Sequence, residues 1–350
     1  MTDLKANIQL LVGYLNENPG HSSKEIYDAS GIDKLISYAT LKRVLQSLLE
    51  KQYITTSGKG KGTKYFLSKA YAILSEVDVE AYFKKEIDER EIHRFFNHDL
   101  IKGTLNKIDV FSPQELQQIE ALQNIFKEKL SKLSNDVYRK DLERLAIDLS
   151  WKSSQIEGNT YSLLETENLL KDKLTAAGKT KDEAVMLLNH KDAIDFIISH
   201  ADYIQPLTVR AIEDIHSLLI KELRVDRNIR TSSVGISGTN YRPIDNTFQI
   251  REALEEMCGL INLKENAFEK AFLALMLISY IQPFNDGNKR TARIIANAIL
   301  LNNHICPLSF RTVDAGEYKK AMLVFYEKNN ISAFKKIFVS QFKFAVETYF

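Results

Sequence analysis

The sequence has few cysteines and no long apolar run. Its two cysteines, Cys258 and Cys306, stand alone, so neither a Cys-x-x-Cys spacing nor a disulfide framework is present. This pattern predicts a reducing, cytoplasmic location and no cysteine-based zinc site. The longest mostly apolar run, residues 271–281, has 11 residues, whereas a membrane-spanning helix needs about 20. The polar start, with Asp3 and Lys5, predicts no signal peptide, so we expect no membrane partner.

Charge of one sign is also lacking over the whole chain. Lysine and arginine number 47 against 46 acidic residues, a net charge of +1, which excludes general attraction to nucleic acid. With 44% hydrophobic and 27% charged residues, the composition is that of a globular protein, and 350 residues predict two to three domains. The charge is unevenly spread, because residues 1–70 hold ten basic and six acidic side chains. Any nucleic-acid binding must therefore be local.

The first 70 residues show the pattern of three short helices followed by two strands. Apolar residues recur at helical spacing before residue 16, and Ser22 with Glu25 forms the sequence of a capping box for a second helix. A third helix is predicted over residues 37–51. Two strand-like segments then flank residues 57–62, a loop of glycine and lysine.

This arrangement resembles a winged helix-turn-helix domain over residues 1–75. The resemblance implies that the third helix and the wing bind duplex DNA. The candidate contacts are basic side chains on these two elements, namely Lys42, Arg43, Lys59, Lys61 and Lys64. The alternative is a docking or dimerising module, because the net charge of this part is modest for a surface that follows phosphates.

The rest of the chain reads as mainly α. Residues 76–111 mix acids, bases and aromatics, and we expect a helical connector there. From residue 112 to residue 350 the apolar residues follow a helical period, with caps expected at Ser112, at Thr208 and at Ser232 or in nearby loops. Residues 233–242 are the strand-like exception in this part of the chain.

One segment carries a recognisable chemical pattern. Residues 281–293 read Ile-Gln-Pro-Phe-Asn-Asp-Gly-Asn-Lys-Arg-Thr-Ala-Arg, between one apolar helix and the start of another. Amides at a helix start attract anions, and Arg290 and Arg293 lie on one side of its first turns. Asp286 supplies a hard oxygen ligand suited to Mg²⁺ between phosphates. Alternatively, the segment is a helix cap with solvated arginines.

The longer pattern Pro-Phe-x-Asp-Gly-Asn-Lys-Arg-x-x-Arg resembles the motif of the Fic/Doc family. The resemblance covers about residues 112–340 and implies a helical core that binds ATP and Mg²⁺. It also implies transfer of AMP to a hydroxyl of a protein, either an unidentified target or the chain itself. The implied phosphate ligands are the motif residues Gly287, Asn288, Lys289, Arg290 and Arg293, with Asp286 on the metal.

Two further segments resemble parts of that family. Residues 153–158, Ser-Ser-Gln-Ile-Glu-Gly, match its inhibitory pattern, which implies a helix near residues 141–158 that blocks the γ-phosphate position through Ser153, Glu157 and Gly158. Residues 233–243 look like its flap hairpin, which implies that a target segment is bound at Gly235, Ile236, Ser237 and Gly238. Tyr318 is the candidate for a contact with adenine, and core packing is the alternative.

The sequence departs from the motif at one decisive position. Gln282 stands where the family has its general-base histidine, and a glutamine amide cannot accept a proton near neutral pH. We therefore expect impaired transfer, or a nucleotide-binding pseudoenzyme that acts as a DNA-binding regulator. Lysine at position 289 is also found in Doc-type toxins, whose motif resembles this one and which transfer the γ-phosphate. Phosphate transfer is therefore a less favoured alternative. His190 and His216 lie on predicted helices, where a packed or solvated role is the favoured interpretation.

Overall fold

The amino-terminal unit consists of three helices and a two-stranded antiparallel sheet. A computed structural model describes residues 2–350 of the chain. The elements of this unit are α1 (Thr2–Glu17), α2 (Ser23–Ala29), α3 (Tyr38–Glu50), β1 (Ile54–Ser57) and β2 (Lys64–Leu67). The strands pair from Ile54 opposite Leu67 to Ser57 opposite Lys64. This order of elements agrees with the one predicted from the sequence.

Local signals explain where these elements begin. Ser22 accepts a hydrogen bond from the amide of Glu25, whose carboxylate in turn accepts from the amide of Ser22, so the predicted capping box is formed. Ser37 caps α3 in a similar way through the amide of Thr40. The apolar faces of the helices and strands meet in a small core of their own that includes Leu41 and Leu45.

The segment expected to be a helical connector is mostly irregular. Within residues 76–111 the structure has only α5 (Val79–Tyr82), a π-helical turn at Leu100–Thr104 and a short 3-10 turn after it. Helix α4 (Ala70–Leu74) precedes this segment and packs into the main core rather than into the amino-terminal one. The helical prediction for the connector was wrong because its polar side chains bond to distant parts of the chain instead of following a helical period. Arg90, for example, pairs with the buried Glu327.

Ten helices form the remainder of the chain from residue 113 onward, and they confirm the mainly helical prediction. These helices are α6 (Pro113–Lys132), α7 (Asn135–Ile156), α8 (Leu163–Asp172), α9 (Lys181–Ser199), α10 (Val209–Leu219), α11 (Thr247–Leu263), α12 (Ala267–Ile281), α13 (Asn288–Asn302), α14 (Ala315–Lys328) and α15 (Ser332–Thr348). Two of the predicted caps are present, Ser112 before α6 and Thr208 before α10. Ser232 precedes no helix, and the next helix, α11, is capped by Asn246.

Helices α12 and α13 form the centre of this helical part. Every side chain of α12 from Ala271 to Ile281 is buried, so this helix is apolar on all sides and is covered all round by its neighbours. Helix α13 packs against it along its length, and α7, α9 and α10 also contact α13. The loop between α12 and α13 is therefore held between rigid elements. No helix within residues 2–350 is long and apolar enough to cross a membrane.

Candidate functional site

The loop that joins α12 to α13 has two residues in the left-handed backbone region. Gln282 ends α12 with φ 52° and ψ 58°, and Gly287 precedes α13 with φ 82°. A side chain at Gly287 would also come within 3.3 Å of the imidazole of His216, so both space and conformation require glycine. No side chain caps α13, so the amides of its first turn are left for a ligand or for water.

The Asn288 side chain holds this loop in shape. Its amide nitrogen donates to the carbonyl oxygen of Phe284 at 2.8 Å and to Oε1 of Gln282 at 3.0 Å. Its Oδ1 accepts from the amide of Phe284 at 2.8 Å. Because the side chain of Asn288 is hydrogen-bonded within the loop, the phosphate contact predicted for this residue would be made by its backbone amide.

Both polar atoms of the Gln282 side chain are hydrogen-bonded within the loop region. Besides the bond from Asn288 to Oε1, its Nε2 donates to the carbonyl oxygen of Ser279 at 2.6 Å. The residue is 9% exposed. The side chain at the position of the expected general base is thus a structural part of the loop, in agreement with the chemical argument from its amide.

Sequence reasoning missed Arg230, a buried arginine that fastens the loop from outside the motif. Its Nε donates to the carbonyl oxygen of Gln282 at 2.7 Å, and its Nη1 donates to that of Ser232 at 2.8 Å. Its Nη2 donates to the carbonyl oxygen of Ile244, and its amide donates to that of Pro283 at 3.0 Å. A lone arginine outside any helical or strand-like period gives no signal of its own, so the sequence could not reveal this role.

His216 supports the same loop from α10. Its ring stacks on that of Phe284 with centroids 3.6 Å apart and planes 1° from parallel, and its Nε2 lies 3.0 Å from the carbonyl oxygen of Asp286. Burial lowers the pKa of His216 to about 4, so at neutral pH the ring is uncharged and donates one N–H to that oxygen. The packed interpretation of this histidine is confirmed, with a contact to the motif loop.

Arg293 connects the motif to the end of α7. Its Nη2 donates to Oε1 of Glu157 at 2.7 Å and to the carbonyl oxygen of Ser153 at 3.0 Å, and its Nε donates to Oγ of Ser153 at 2.8 Å. The guanidinium is fully buried. The segment predicted to be inhibitory and the last motif arginine are therefore in direct contact, and the helix that carries Ser153 runs from residue 135 to residue 156.

Lys289 makes a second ion pair with the same acid. Its Nζ lies 3.3 Å from Oε2 of Glu157. Burial by itself would raise the pKa of Glu157, but the charges of Arg293 and Lys289 outweigh it and hold that pKa below its ordinary value. The carboxylate is ionised at neutral pH and occupies two cations of the motif. Gly158, with φ 98°, turns the chain away directly after it.

His190 lies behind this pair. Its Nε2 is 2.6 Å from Oγ of Ser153, and the pKa of His190 is well below its ordinary value because of burial and of the nearby Arg293 and Arg290. The neutral ring accepts the hydroxyl proton of Ser153, which leaves that oxygen to accept from Arg293. The sequence interpretation of a packed histidine is confirmed.

Arg290 is 1% exposed and is only partly bonded. Its Nη2 donates to Oδ2 of Asp286 at 2.8 Å, whereas its Nε and Nη1 are buried with no hydrogen-bond partner among the described residues. Asp286 itself is 61% exposed, and its Oδ1 accepts from the amide of Gly287 at 2.6 Å. Buried guanidinium donors without acceptors are costly, which makes Arg290 a candidate anion ligand.

A cavity of about 470 Å³ opens beside the ion pair of Glu157 and Lys289. Its wall includes Glu157 and Lys289 at one side, Ile236 of the segment predicted as the flap, and residues of α14 that include Tyr318 and Tyr326. The hydroxyls of both tyrosines are buried without a hydrogen-bond partner. The cavity thus combines lysine cations, Lys289 of the first turn of α13 among them, with apolar and aromatic walls, which suits a ligand with both phosphate and aromatic parts.

Tyr318 lies at the cationic part of this cavity wall. Its ring centroid is 5.4 Å from Cζ of Arg293, and the ring packs edge-on against Phe334. The residue is 1% exposed. Its contact with adenine stays a prediction, and the packing observed is that of a core residue beside the arginine.

The segment predicted as the flap is not a hairpin of two paired strands. Residues 233–241 contain a turn at residues 237–238 but no ladder, and Arg242 forms an isolated parallel bridge with Phe95. The prediction of a hairpin was wrong because the return half, residues 238–242, bonds to residues 88–94 of the connector instead of to the first half.

The candidate DNA contacts lie on α3 and on the loop between β1 and β2. Lys42, Arg43, Lys59 and Lys61 are exposed. Lys64 differs, since its Nζ is 2.7 Å from Oε2 of Glu25, which neutralises part of its charge. DNA binding by these side chains stays a prediction.

A bound metal ion would have one carboxylate at the motif loop. Among residues 2–350, no group of three or more His, Cys, Asp or Glu side chains is arranged to hold a metal. Mg²⁺ is commonly held by one or two carboxylates together with substrate phosphates and water, so a single exposed aspartate suits an ion that arrives with a nucleotide. Asp286 is the residue that fits this description.

Comparison with known proteins agrees with the motif. Residues 206–300, which include the loop and most of α13, match the Fic/DOC family. A protein adenylyltransferase Fic from Nematostella vectensis is 28% identical over 48% of this chain and 40% of its own length. Another from Drosophila melanogaster is 25% identical over 59% of this chain and 42% of its own length. Residues 206–300 are thus similar to Fic/DOC domains, and the chain spans less than half the length of these curated relatives.

Solved structures give the same fold. A Fic-1 structure from C. elegans superposes with a TM-score of 0.56 at 18% identity and covers 67% of this chain and 71% of its own. A Fic domain containing signaling protein from Bacteroides thetaiotaomicron superposes with a TM-score of 0.54 at 19% identity over 66% of this chain and 94% of its own. At this identity the likeness establishes the helical fold and not the activity.

Proposed function

We propose that this chain transfers AMP from ATP to a protein hydroxyl and is held inactive by Glu157. The observation that carries the proposal is the contact of Glu157 with Arg293 and Lys289 at the wall of the cavity. Two motif cations beside an uncapped helix start form a site for phosphates, and an internal carboxylate occupies them when no nucleotide is bound.

Each part of the motif has a role in this proposal. The amides at the start of α13 and the side chains of Lys289, Arg290 and Arg293 bind phosphate oxygens once Glu157 moves away. Asp286 holds Mg²⁺, which when bound neutralises charge on the phosphates. Residues 235–238 hold a segment of the target protein beside the cavity, so that its hydroxyl can approach the α-phosphorus.

The chemical step needs a destination for one proton. The hydroxyl oxygen forms a bond to the α-phosphorus, the bond from that phosphorus to the bridging oxygen of pyrophosphate breaks, and the hydroxyl proton must leave. The side chain of Gln282 cannot accept it, because its oxygen is already bonded to Asn288 and an amide is not basic near neutral pH. The proton therefore goes to solvent or to a substrate oxygen, which costs about 10²- to 10⁴-fold in rate.

The lack of a proton acceptor at Gln282 favours a second candidate function. A chain that binds ATP without transferring AMP would act as a nucleotide sensor, and the amino-terminal unit would supply the response by binding DNA through α3 and the loop after β1. Phosphate binding does not need a proton acceptor, so the sensor is compatible with Gln282. The retained cations and the open cavity serve both functions equally.

One experiment separates the two functions. The Glu157→Gly variant is incubated with ATP labelled at the α-phosphate and with a protein lysate or alone, while ATP affinity is measured by calorimetry. We expect tighter ATP binding than in the parent and slow labelling of protein. Tight binding with no label in any protein would support the sensor, and unchanged ATP affinity would reject the role of Glu157 in both.

A further inference from the structure

The two halves of the segment 233–242 have different surroundings. The return half is tied to the connector, since the amide of Arg242 donates to the carbonyl oxygen of Arg94 at 2.8 Å and Asn240 Nδ2 donates to Oδ1 of Asp88 at 2.9 Å. Arg90 Nη2 also donates to the carbonyl oxygen of Gly238 at 2.8 Å. The edge that residues 238–242 would offer to another protein is therefore largely taken.

Arg90 anchors this arrangement in the protein interior. Its Nη1 lies 3.3 Å from Oε1 of Glu327, a fully buried acid on α14, and its guanidinium is 5.1 Å from the ring of Phe83. Tyr82 donates to the other oxygen of Glu327 at 2.5 Å. Helix α14 lines the cavity, so the connector and the return half are fixed to the same element that forms the candidate site.

The first half, residues 233–237, has no such partner. None of its backbone amides or carbonyls forms a hydrogen bond with another group within residues 2–350. Ser233, Gly235 and Ser237 are exposed. An extended peptide gains main-chain hydrogen bonds when it lies along an open edge of this kind. Residues 233–237 are therefore the half of the segment that is available to bind such a peptide.

A groove of about 520 Å³ lies between the two halves and the connector. The side chains that line it and matter here are Asp88, Arg94, Phe95, Gly235, Ile236 and Arg242. Ile236 also lines the cavity beside Glu157, so the groove and the cavity adjoin at this side chain. A polypeptide that enters the cavity with one side chain would lay its neighbouring residues in this groove.

The groove carries two cations, Arg94 and Arg242, that have no acidic partner in the part of the chain that the structure describes. Arg94 and Arg242 are exposed, and neither forms an ion pair with any of the residues 2–350. Asp88 is the one acid in the lining, and it is bonded to Asn240. Phe95, which follows Arg94 in the chain and is bridged to Arg242, is 66% exposed and offers an apolar contact beside the two cations.

We propose that the connector is part of the recognition surface for the target and selects an acidic extended segment with a nearby apolar side chain. The segment pairs with residues 233–237, places its acids against Arg94 and Arg242, and covers Phe95. This inference rests on the proposed transfer of AMP to a protein hydroxyl, because that reaction requires a polypeptide at the cavity.

The test measures peptide binding rather than transfer, so it does not depend on Gln282. A fluorescein-labelled peptide with a central threonine, flanking glutamates and one phenylalanine is titrated with the full chain by fluorescence anisotropy. A second peptide carries lysines in place of the glutamates. We expect the acidic peptide to bind at least about tenfold more tightly. Two exposed ion pairs in one complex and two like-charge contacts in the other can account for a ratio of this size.

A charge-reversed protein then checks the location. The Arg94→Glu, Arg242→Glu variant should lose or invert the preference, whereas Arg139→Glu, an exposed arginine of α7, should leave it unchanged. Equal affinity for the two peptides, no binding of either at millimolar concentration, or an unchanged preference in the double variant would overturn the proposal. Calorimetry with ATP on the same variants tests the nucleotide site separately, so a failed transfer reaction and a failed peptide preference can be told apart.

Discussion

Arg293 and Glu157 lie 136 residues apart in sequence and 2.7 Å apart in space. The arginine sits on the first turns of α13 and the acid directly follows α7, so the pair joins two helices at the wall of the cavity. A buried guanidinium needs an anion, and in this structure the chain provides it. A nucleotide phosphate would have to compete with this carboxylate.

Glu157→Gln should destabilise the unliganded protein and tighten its binding of ATP. The substitution removes the negative charge next to a buried arginine, a loss of about 1–3 kcal/mol, and Ser153 retains part of the bonding. Thermal unfolding with and without ATP and Mg²⁺ measures both effects. Asp136→Asn, on the exposed start of α7, is the matched control. A variant as stable as the parent, with the same ATP affinity, would contradict the prediction.

His216 should make stability depend on pH between about 6.5 and 4. Its pKa in the folded chain is about 4 against an ordinary 6.5, so the unfolded chain binds the proton first as the pH falls. The neutral ring contributes about 3 kcal/mol to the free energy of unfolding above pH 6.5. This contribution is lost as the pH falls through the pKa of the folded chain. Denaturant unfolding of the parent and of His216→Gln at several pH values gives the difference. Parallel pH curves for the two proteins would refute this assignment.

Gln282→His should speed AMP transfer when it is combined with Glu157→Gly. Histidine tolerates the left-handed backbone of position 282, and an imidazole can accept the proton that glutamine cannot. We expect a gain of about 10²-fold or more over Glu157→Gly alone and a decline below about pH 6. Intact mass spectrometry follows the transfer, with Gln282→Asn as a control that lacks a base. If Glu157→Gly alone transfers AMP as fast as the double variant, another group takes the proton.

Asp286→Asn should remove the part of ATP binding that depends on Mg²⁺. The substitution keeps the size of the side chain but takes away the one carboxylate of the loop. Calorimetry in Mg²⁺ and in a chelator should give different affinities for the parent and similar ones for the variant. Asp172→Asn, exposed at the end of α8, serves as the control. If the ATP affinity of the variant still depends on Mg²⁺, the metal is held by residues other than Asp286.

The amino-terminal unit should bind duplex DNA weakly and with a strong dependence on salt. Lys59 and Lys61 project from the loop after β1, whereas Lys64 is paired with Glu25, so charge reversal of the first two should weaken binding more than Lys64→Ala. Gel shifts with the full chain at several salt concentrations measure this. Lys221→Glu, in the helical part, is the control. Lack of any shift at low salt would identify a docking or dimerising module instead.

The local elements of this protein were readable from sequence because their causes are local. The capping box of Ser22 and Glu25, the caps at Ser112 and Thr208, and the fully apolar run of α12 each depend on residues a few positions apart. The motif was readable for the same reason, since Asp286 to Arg293 occupy a loop and two helical turns. The position of Glu157 at the phosphate site could also be predicted, although only through a family resemblance.

The connector and the flap were decided by tertiary contacts. Arg90 forms an ion pair with Glu327, and the amide of Arg242 donates to the carbonyl oxygen of Arg94. Arg230 donates to carbonyl oxygens of the motif loop, that of Gln282 among them. The partners in each of these contacts are far apart in sequence. No periodicity marks such residues, because each acts through a few particular partners rather than through a repeated face. Helical periods and caps were thus determined by the sequence alone. The shape of the loop and the open half of residues 233–242 arose only from contacts between residues distant in sequence, because those contacts satisfy the polar groups of the loop and of the return half.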